Sequence, residues 1–262
     1  MKAAGASLLR LVALLLVSAL ALQLFFLGRV ALMAWMDPQS TTFQRSEIWR
    51  IATQRGALPW RQQWVAYDRI AQNLKRAVIA SEDAGFAEHS GIEWDALEKA
   101  WERNQKAEAT VERLNAQAQR HGANESGSRT PANPSALATP KLVGGSTITQ
   151  QLAKNLFLGG ERSLARKGQE IVITGFLEAL LTKERILEIY LNDVEWGEGV
   201  FGAEAAARHY FHAGAASLSA GQAARLAVML PAPKRFEKRP ASPYILGRAA
   251  IVMARMGAVE MP

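Results

Sequence analysis

The chain has 262 residues, no cysteine and a formal net charge of +7, and 49% of its residues are hydrophobic. Disulfide bonds, thiolate chemistry and cysteine-ligated metals are therefore excluded. The length suits one sizeable domain with an appendage, and the positive charge favours anionic partners such as nucleic acid, acidic lipid head groups or phosphorylated substrates.

A long apolar stretch follows the basic residues Lys2 and Arg10. Residues 11–27 are apolar apart from two polar side chains, and the apolar character resumes at 30–36. At about 1.5 Å per residue, the stretch approaches the roughly 30 Å hydrocarbon thickness of a bilayer. Residues 19–21 resemble a signal-peptidase site, but the apolar run continues well past them. This continuation favours an uncleaved membrane anchor over a cleaved signal peptide.

The orientation of this anchor follows from its flanking charges. Positive residues before the span place the N-terminus in the cytoplasm and the remainder across the membrane. We therefore predict a cytoplasmic tip and transmembrane anchor at 1–36 and one further domain at 37–262. Genomic nucleic acid is excluded as a partner by this location, and lipid-linked anions are favoured.

Two acidic residues, Glu82 and Asp83, directly follow a helix predicted from Ile70 to about Ser81. Carboxylates at a helix C-terminus oppose the helix dipole, so their placement is locally unfavourable. Local rules are broken most often at functional sites, which makes this pair a candidate.

A second helix is predicted from about Glu93 to Gln119, and a stretch rich in Gly, Ser, Asn and Pro follows at 122–141. This composition is typical of a flexible loop, and a structureless run of about twenty residues is uncommon inside a compact domain. We predict a flexible insertion at about 120–141.

The stretch 144–155 reads GGSTITQQLAKN and predicts a helix with Ser146 as its N-cap. Thr147, Gln150, Gln151 and Lys154 fall on one narrow arc of this helix, with Asn155 at the rim of the arc. A solvated surface is usually built from Lys and Glu, whereas this arc offers neutral amides, a hydroxyl and one ammonium. The pattern favours a face that holds a polar, anionic group.

A further helix is predicted from Ser163, as its cap, to about Leu181. Arg166 and Glu170 lie one turn apart in it, in line with its apolar stripe, so we expect this charged pair to face inward. A plain intrahelical salt bridge explains the pair as well as a functional role does.

The rest of the chain is also predicted to be helical, so the fold class is mainly α. The predicted helices are 182–191, 203–210, 219–230 and one that begins at Ser242 and ends at Gly257. Short β segments are allowed around 64–67.

The candidate chemistry rests on two glutamates, Glu82 and Glu170. A pair of carboxylates suits sugar chemistry, because one exchanges a proton while the other supports an oxocarbenium-like centre. Four basic residues lie near them in the sequence and suit a phosphate leaving group: Lys154, Arg162, Arg166 and Lys167. Together these residues favour glycosyl transfer from a phosphate-linked sugar over hydrolysis.

Five motifs resemble the signature blocks of family 51 peptidoglycan glycosyltransferases, in the same order and over about two thirds of the chain. They are EDxxFxxHxG at 82–91, GGSTITQQLAKN at 144–155, RKxxE at 166–170, KERILEIYLN with WGEGVFGAEAAARHYF within 183–211, and LSAGQAARLAVMLPAP at 218–233. The resemblance implies a lysozyme-like, mainly α domain with a large lobe and a smaller membrane-proximal lobe. Because the chain ends soon after the fifth block, we expect a monofunctional member without a transpeptidase domain.

The resemblance also implies an activity, namely polymerisation of lipid II into β-1,4-linked glycan strands with release of undecaprenyl diphosphate and inversion at the reacting carbon. Glu82 would be the general base, and Glu170 would orient substrate and stabilise positive charge on the donor. The implied substrate-binding residues are Asp83, Ser146, Thr147, Gln150, Gln151, Lys154, Asn155, Arg162, Arg166 and Lys167. Arg166 and Lys167 either neutralise the diphosphate or hold Glu170 ionised.

The same resemblance bears on cofactors, partners and location. Family members are often described with a divalent cation such as Mg²⁺ at the diphosphate, and Asp83 is a conceivable ligand, but one carboxylate is a weak signature and no metal site is assigned. The implied partners are lipid II, the lipid-linked glycan, the membrane and other cell-wall synthesis or division proteins. The implied location is the bacterial inner membrane, with the catalytic domain in the periplasm.

Two features depart from the family pattern: the long connection at 122–141, and His212, where family members commonly carry glycine. Two alternatives stay open. One is a membrane-anchored, lysozyme-like lytic transglycosylase, which needs no diphosphate-binding helix. The other is a non-catalytic scaffold of the cell-wall machinery, which would tolerate loss of the Glu82 carboxylate.

Overall fold

The computed structural model describes residues 2–56, 59–94, 98, 102–103, 105–107, 109–113, 145–161 and 163–262. Arg162 and the predicted insertion at about 120–141 lie outside these residues. The chain divides into two compact units, Met1–Ile92 with Thr147–Pro262, and Glu93–Ser146. In the second unit the described residues from 94 to 113 are helical, as predicted for this stretch.

The first unit is mainly helical, which confirms the predicted fold class. Its α-helices are α1 (Lys2–Leu32), α2 (Thr42–Arg55), α3 (Gln72–Glu82), α4 (Ile148–Phe157), α5 (Leu164–Leu180), α6 (Lys183–Asp193), α7 (Ala203–Phe211), α8 (Ala220–Met229), α9 (Pro233–Phe236) and α10 (Pro243–Met256). Short 3₁₀ turns lie at Tyr67–Arg69 and Ala215–Ser217.

Helix α1 is long and apolar enough over Ser7–Leu32 to cross a membrane, judged by length and composition. Its last turns also pack on other helices of the first unit, so that Phe26, Val30 and Met33 are buried. The polar side chain Gln23 forms reciprocal hydrogen bonds of 2.9 and 3.0 Å with Gln169 of α5. The apolar helix is therefore attached to the helical unit through its C-terminal half.

Side-chain caps explain where several helices begin. Thr41 with Gln44 and Ser219 with Gln222 form capping boxes at the starts of α2 and α8, in which each side chain bonds the other residue's backbone N–H. Ser163 caps α5 as predicted. The predicted N-cap Ser146 is wrong, because Thr147 accepts the Gln150 N–H and caps α4 instead.

The described strands form one small sheet in the order β1-β3-β2. Strand β1 (Arg61–Gln62) is parallel to β3 (Val200–Phe201), and β2 (Glu195–Gly197) is antiparallel to β3. The β structure expected near 64–67 is thus displaced toward the N-terminus.

The core of the unit is built where α3, α8 and α10 pack together and where α4 packs on α5 and α6. Trp196, Tyr190, Phe86 and Phe201 are its largest fully buried side chains. The end of α3 and the polar side of α4 emerge from this core, which gives both a rigid support.

Residues with positive φ flank α7 at both of its ends. His212 ends α7 with φ of 53° in the left-handed region, a conformation that glycine adopts without steric cost. This explains why glycine suits the position. Gly202 has φ of +83°, and a Cβ there would lie 2.6 Å from the Asn192 carbonyl oxygen. A side chain at this position would strain the turn between β3 and α7.

Candidate active site

Glu82 is the last residue of α3, and a chain of hydrogen bonds holds its carboxylate. Gln151 Nε2 donates to Glu82 Oε2 at 3.1 Å, and the Tyr190 hydroxyl donates to Gln151 Oε1 at 3.0 Å. Burial raises the pKa of Glu82, the nearby Asp83 charge adds to this effect, and the Gln151 bond opposes it. Glu82 is therefore a carboxylate in a fixed orientation, with a stronger affinity for protons than an exposed glutamate.

The loop after Glu82 is fastened through Asp83. Its Oδ1 lies 2.8 Å from His89 Nε2, and its Oδ2 accepts the Ile148 N–H at 2.9 Å, at the N-terminus of α4. His89 Nδ1 accepts the Gly91 N–H at 3.1 Å, so the ring proton lies on Nε2 and is donated to Asp83. Both Asp83 oxygens thus serve the fold of this loop, and His89 braces it.

The far end of the same loop is held by two more hydrogen bonds. Thr147 Oγ1 donates to the Gly91 carbonyl at 2.6 Å, and Lys183 Nζ donates to the His89 carbonyl at 2.6 Å. Gly91 has φ of +83°, and a Cβ there would approach Glu178 and Thr174 atoms to 2.7 Å. The loop can therefore pack this closely only with glycine at the position.

Helix α4 divides its polar residues between two tasks. Thr147 and Gln150 are buried in the capping box. Gln151, Lys154 and Asn155 instead line a cavity. The first two members of the predicted polar arc satisfy backbone groups of the helix N-terminus, and their role in substrate binding stays a prediction. Ser146 is exposed and precedes the cap.

Glu170 lies on α5 and is only 3% exposed. Its Oε2 accepts from Arg166 Nη1 at 2.8 Å, and Lys167 Nζ contacts its Oε1. The inward-facing pair predicted from the sequence is present, with Lys167 as a second cation. Among the described residues, Arg166 Nε is buried without a hydrogen-bond partner. The Arg166 guanidinium thus keeps hydrogen-bonding capacity beside the cavity that it lines.

A cavity of about 590 Å³ is lined by Gln151, Lys154, Asn155 and Arg166 among other residues. Its lining also includes two carboxylates, those of Glu47 and Glu195. Neighbouring atoms displace water from Lys154 and lower its pKa, with the Glu170 charge acting in the opposite direction. Glu82 and Glu170 are each one hydrogen bond from a lining residue, through Gln151 and Arg166 respectively.

The site also contains residues that the sequence alone did not single out. Glu47 of α2 contacts Lys234 and binds Arg50 at 2.8 Å, and these two cations outweigh burial and lower its pKa. Glu195 lies 3.6 Å from Lys234, and burial raises its pKa to about 7. Tyr190 is buried, and burial raises its pKa well above the ordinary value, so it stays a hydrogen-bond donor. The sequence contained one signal for Glu195: it is the charged residue of the three-residue strand β2, beside Trp196 and Gly197.

Comparison with known proteins places these residues in a family. The family model described as Transglycosylase matches residues 51–113 and 126–257. A protein of Burkholderia thailandensis named biosynthetic peptidoglycan transglycosylase is 50% identical over 93% of this chain and 83% of its own length. Proteins with the same name from Paraburkholderia phytofirmans and Bordetella pertussis are 49% and 48% identical, over 93% and 92% of this chain and 88% of each relative.

Proposed function

The chain belongs to the transglycosylase family and is a peptidoglycan glycosyltransferase with a lysozyme-like, mainly α domain, and we propose that it polymerises lipid II. In this proposal each cycle joins the lipid-linked glycan to one lipid II molecule by a β-1,4 bond and releases undecaprenyl diphosphate. The observation that carries the proposal is the fixed Glu82 carboxylate, one hydrogen bond from a cavity lined by Lys154 and Arg166.

Glu82 acts as the general base. The 4-hydroxyl of the acceptor sugar attacks C1 of the donor sugar, and its proton passes to the Glu82 carboxylate. A new C1–O bond forms as the bond from C1 to the diphosphate oxygen breaks, and attack from the opposite face inverts α to β. A raised pKa suits this role, because a base that holds its proton more strongly is a better acceptor near neutral pH.

The diphosphate leaves with its negative charge, so the site must stabilise that charge. Lys154 and Arg166 line the cavity, and fixed cations and donors of this kind favour a developing anion more than bulk water does. Asn155 and Gln151 add neutral donors from the same face of α4. Arg162 stays a prediction for this role, as does Ser146.

Glu170 serves the donor side of the site. Its contacts with Arg166 and Lys167 hold both cations in place, and its charge raises the pKa of Lys154. A carboxylate here supports positive character at the donor carbon while it keeps the diphosphate-binding cations charged. Lys167 acts on the donor side through its contact with Glu170.

The proposed neutralisation of the diphosphate does not depend on a divalent cation. Asp83, the conceivable ligand, accepts hydrogen bonds from His89 and from the Ile148 N–H with its two oxygens, which suits a brace better than a metal ligand. We assign the neutralisation of the diphosphate to Lys154 and Arg166. Polymerisation assays with and without Mg²⁺ test this assignment.

We also propose that α1 spans the inner membrane, with the N-terminus in the cytoplasm and the catalytic unit in the periplasm. The attachment of Gln23 to Gln169 supports a unit held close to the membrane. Large apolar side chains of α5 are exposed and suit the same position: Leu164, Ile171, Val172 and Leu180. Protease added to intact spheroplasts should digest a periplasmic unit and spare a cytoplasmic one.

The purified full chain is the material for the main test. It should convert purified lipid II into glycan polymer and should leave finished sacculi intact. Digestion of sacculi without polymerisation would favour the lytic alternative. A folded protein that shows neither activity would favour the non-catalytic scaffold.

A further inference from the structure

A second cavity, of about 430 Å³, lies where α1 ends and the chain enters α2. It does not share the catalytic groups. Arg29 and Arg45 line it together with apolar and acidic residues: Leu32, Met33, Met36 and Asp37.

The cavity carries unbalanced positive charge. Among the described residues, no carboxylate lies within salt-bridge distance of Arg29 or Arg45. Asp37, which also lines the cavity, is bound at 2.8 Å by Arg185. Arg45 donates to the Ser40 carbonyl at 3.1 Å and hydroxyl at 3.0 Å, which orients its guanidinium from the start of α2. Two exposed guanidinium groups thus line one cavity with a single carboxylate, Asp37, which already pairs with Arg185.

The position of the cavity along α1 corresponds to the lipid head groups. Arg29 lies in the last turn of the candidate span, which ends at Leu32. Two tryptophans nearby are strongly exposed, Trp35 at 83% and Trp49 at 75%. Tryptophan is enriched at the membrane–water interface, because its ring is apolar and its N–H is polar. Both observations place the two arginines at head-group depth.

The wall beside the arginines is apolar. Leu32 and Met36 are exposed large hydrophobic side chains, and Met33 is buried beneath them. A ligand that fits must therefore present an anion to the guanidinium groups and hydrocarbon to this wall. A phospholipid has these two parts in this order, whereas free phosphate has only the first.

We propose that this cavity binds an anionic phospholipid of the surrounding leaflet, with its phosphate on Arg29 and Arg45. The proposal rests on the membrane anchoring proposed above, but not on the glycosyl-transfer reaction. Guanidinium groups bind phosphate oxygens strongly because charge and hydrogen bonding act together. A zwitterionic lipid binds less well, because its own cation offsets the phosphate. The bound lipid fixes the height of the unit over the membrane at the junction between α1 and α2.

The test uses the full chain in detergent micelles and counts bound lipids by native mass spectrometry. The probes are phosphatidylglycerol, phosphatidylcholine and inorganic phosphate. The variant Arg29→Gln/Arg45→Gln is compared with Arg248→Gln/Arg255→Gln, which removes two exposed arginines of α10 and changes the net charge equally. Arg29→Lys/Arg45→Lys keeps the charge and checks for loss of folding.

We expect wild type to retain phosphatidylglycerol in preference to phosphatidylcholine. The Arg29→Gln/Arg45→Gln variant should bind phosphatidylglycerol about 30-fold more weakly, since each basic group near a lipid surface contributes about a factor of five. The α10 control and the lysine variant should stay close to wild type. The proposal would be overturned if wild type retained both lipids equally, or if the α10 control lost as much phosphatidylglycerol binding as Arg29→Gln/Arg45→Gln. It would also be overturned if inorganic phosphate displaced the lipid at similar concentration. Failure of the protein to associate with the detergent micelles at all would instead contradict the anchor.

Discussion

Replacing Asp193 with asparagine should change how stability depends on pH. Asp193 is the last residue of α6 and is 1% exposed. Burial raises its pKa from 3.8 to about 8, although a hydrogen bond from Gln44 Nε2 at 3.3 Å acts in the opposite direction. The folded chain therefore holds a proton that the unfolded chain has already released, and this difference links stability to pH.

The sign and size of the effect follow from these two values. Between about pH 3.8 and 8, the folded state binds one more proton at this site than the unfolded state, so stability falls as pH rises through this window. From pH 6 to pH 8 the loss is about 2 kcal/mol. Asp193→Asn keeps an oxygen acceptor for Gln44 and cannot ionise. The variant should therefore lack this part of the pH dependence.

The assay is urea unfolding of wild type and variant in the same detergent at pH 6, 7 and 8. Glu195, whose pKa is raised to about 7, acts equally in both proteins and cancels in the difference. Asp68→Asn, at an exposed site, is the matched control. An equal loss of unfolding free energy in wild type and Asp193→Asn between pH 6 and 8 would contradict this linkage.

Three further substitutions test other parts of the site and fold. Glu170→Gln should slow polymerisation about 100-fold. It should also move the alkaline limb of the pH–rate profile to lower pH, because the Glu170 charge raises the pKa of Lys154 in wild type. An alkaline limb at the wild-type pH would contradict this coupling. Gln151→Leu should move the acidic limb of the pH–rate profile to higher pH, because in wild type the Gln151 hydrogen bond lowers the pKa of Glu82. A shift of this limb to lower pH would contradict the assignment. Gly202→Ala should destabilise the chain by about 3 kcal/mol, measured by urea unfolding, since its Cβ meets a backbone carbonyl; an unchanged midpoint would show that this turn relaxes freely.

The helices of the first unit could be predicted because their signals are local. Ser163, Ser219 and Ser242 are followed by apolar residues at helical spacing, and each caps a helix in the structure. The inward pair Arg166 and Glu170 followed from the same spacing. These features depend on residues three or four positions apart, which the sequence shows directly.

The Ser146 error shows where local signals become ambiguous. Ser146 and Thr147 are adjacent and both are good N-caps. Thr147 is the cap because Gln150, three residues later, completes a capping box with it. The Thr147 hydroxyl also donates a hydrogen bond to the Gly91 carbonyl. The second contact joins segments 56 residues apart and has no local signature.

Glu47 and Glu195, which line the cavity, and Lys234, which contacts both, were missed for a similar reason. Glu47, Glu195 and Lys234 come from three distant segments and meet only in the folded chain. Each alone reads as an ordinary charged residue. The hydrogen bond from Gln151 to Glu82 also joins residues 69 positions apart. The motifs therefore predicted a functional role for each residue but not the contact between them.

The most direct test of the proposed function compares Glu82→Gln with Glu88→Gln, an exposed glutamate of the same loop. Both variants remove one carboxylate, but only Glu82 is bonded to the cavity residue Gln151. Rates of polymer formation from purified lipid II should fall at least about 100-fold in Glu82→Gln, as for loss of a general base. The Glu88→Gln rate should stay near wild type, with both variants folded. Polymer formation at the wild-type rate by Glu82→Gln would contradict the account.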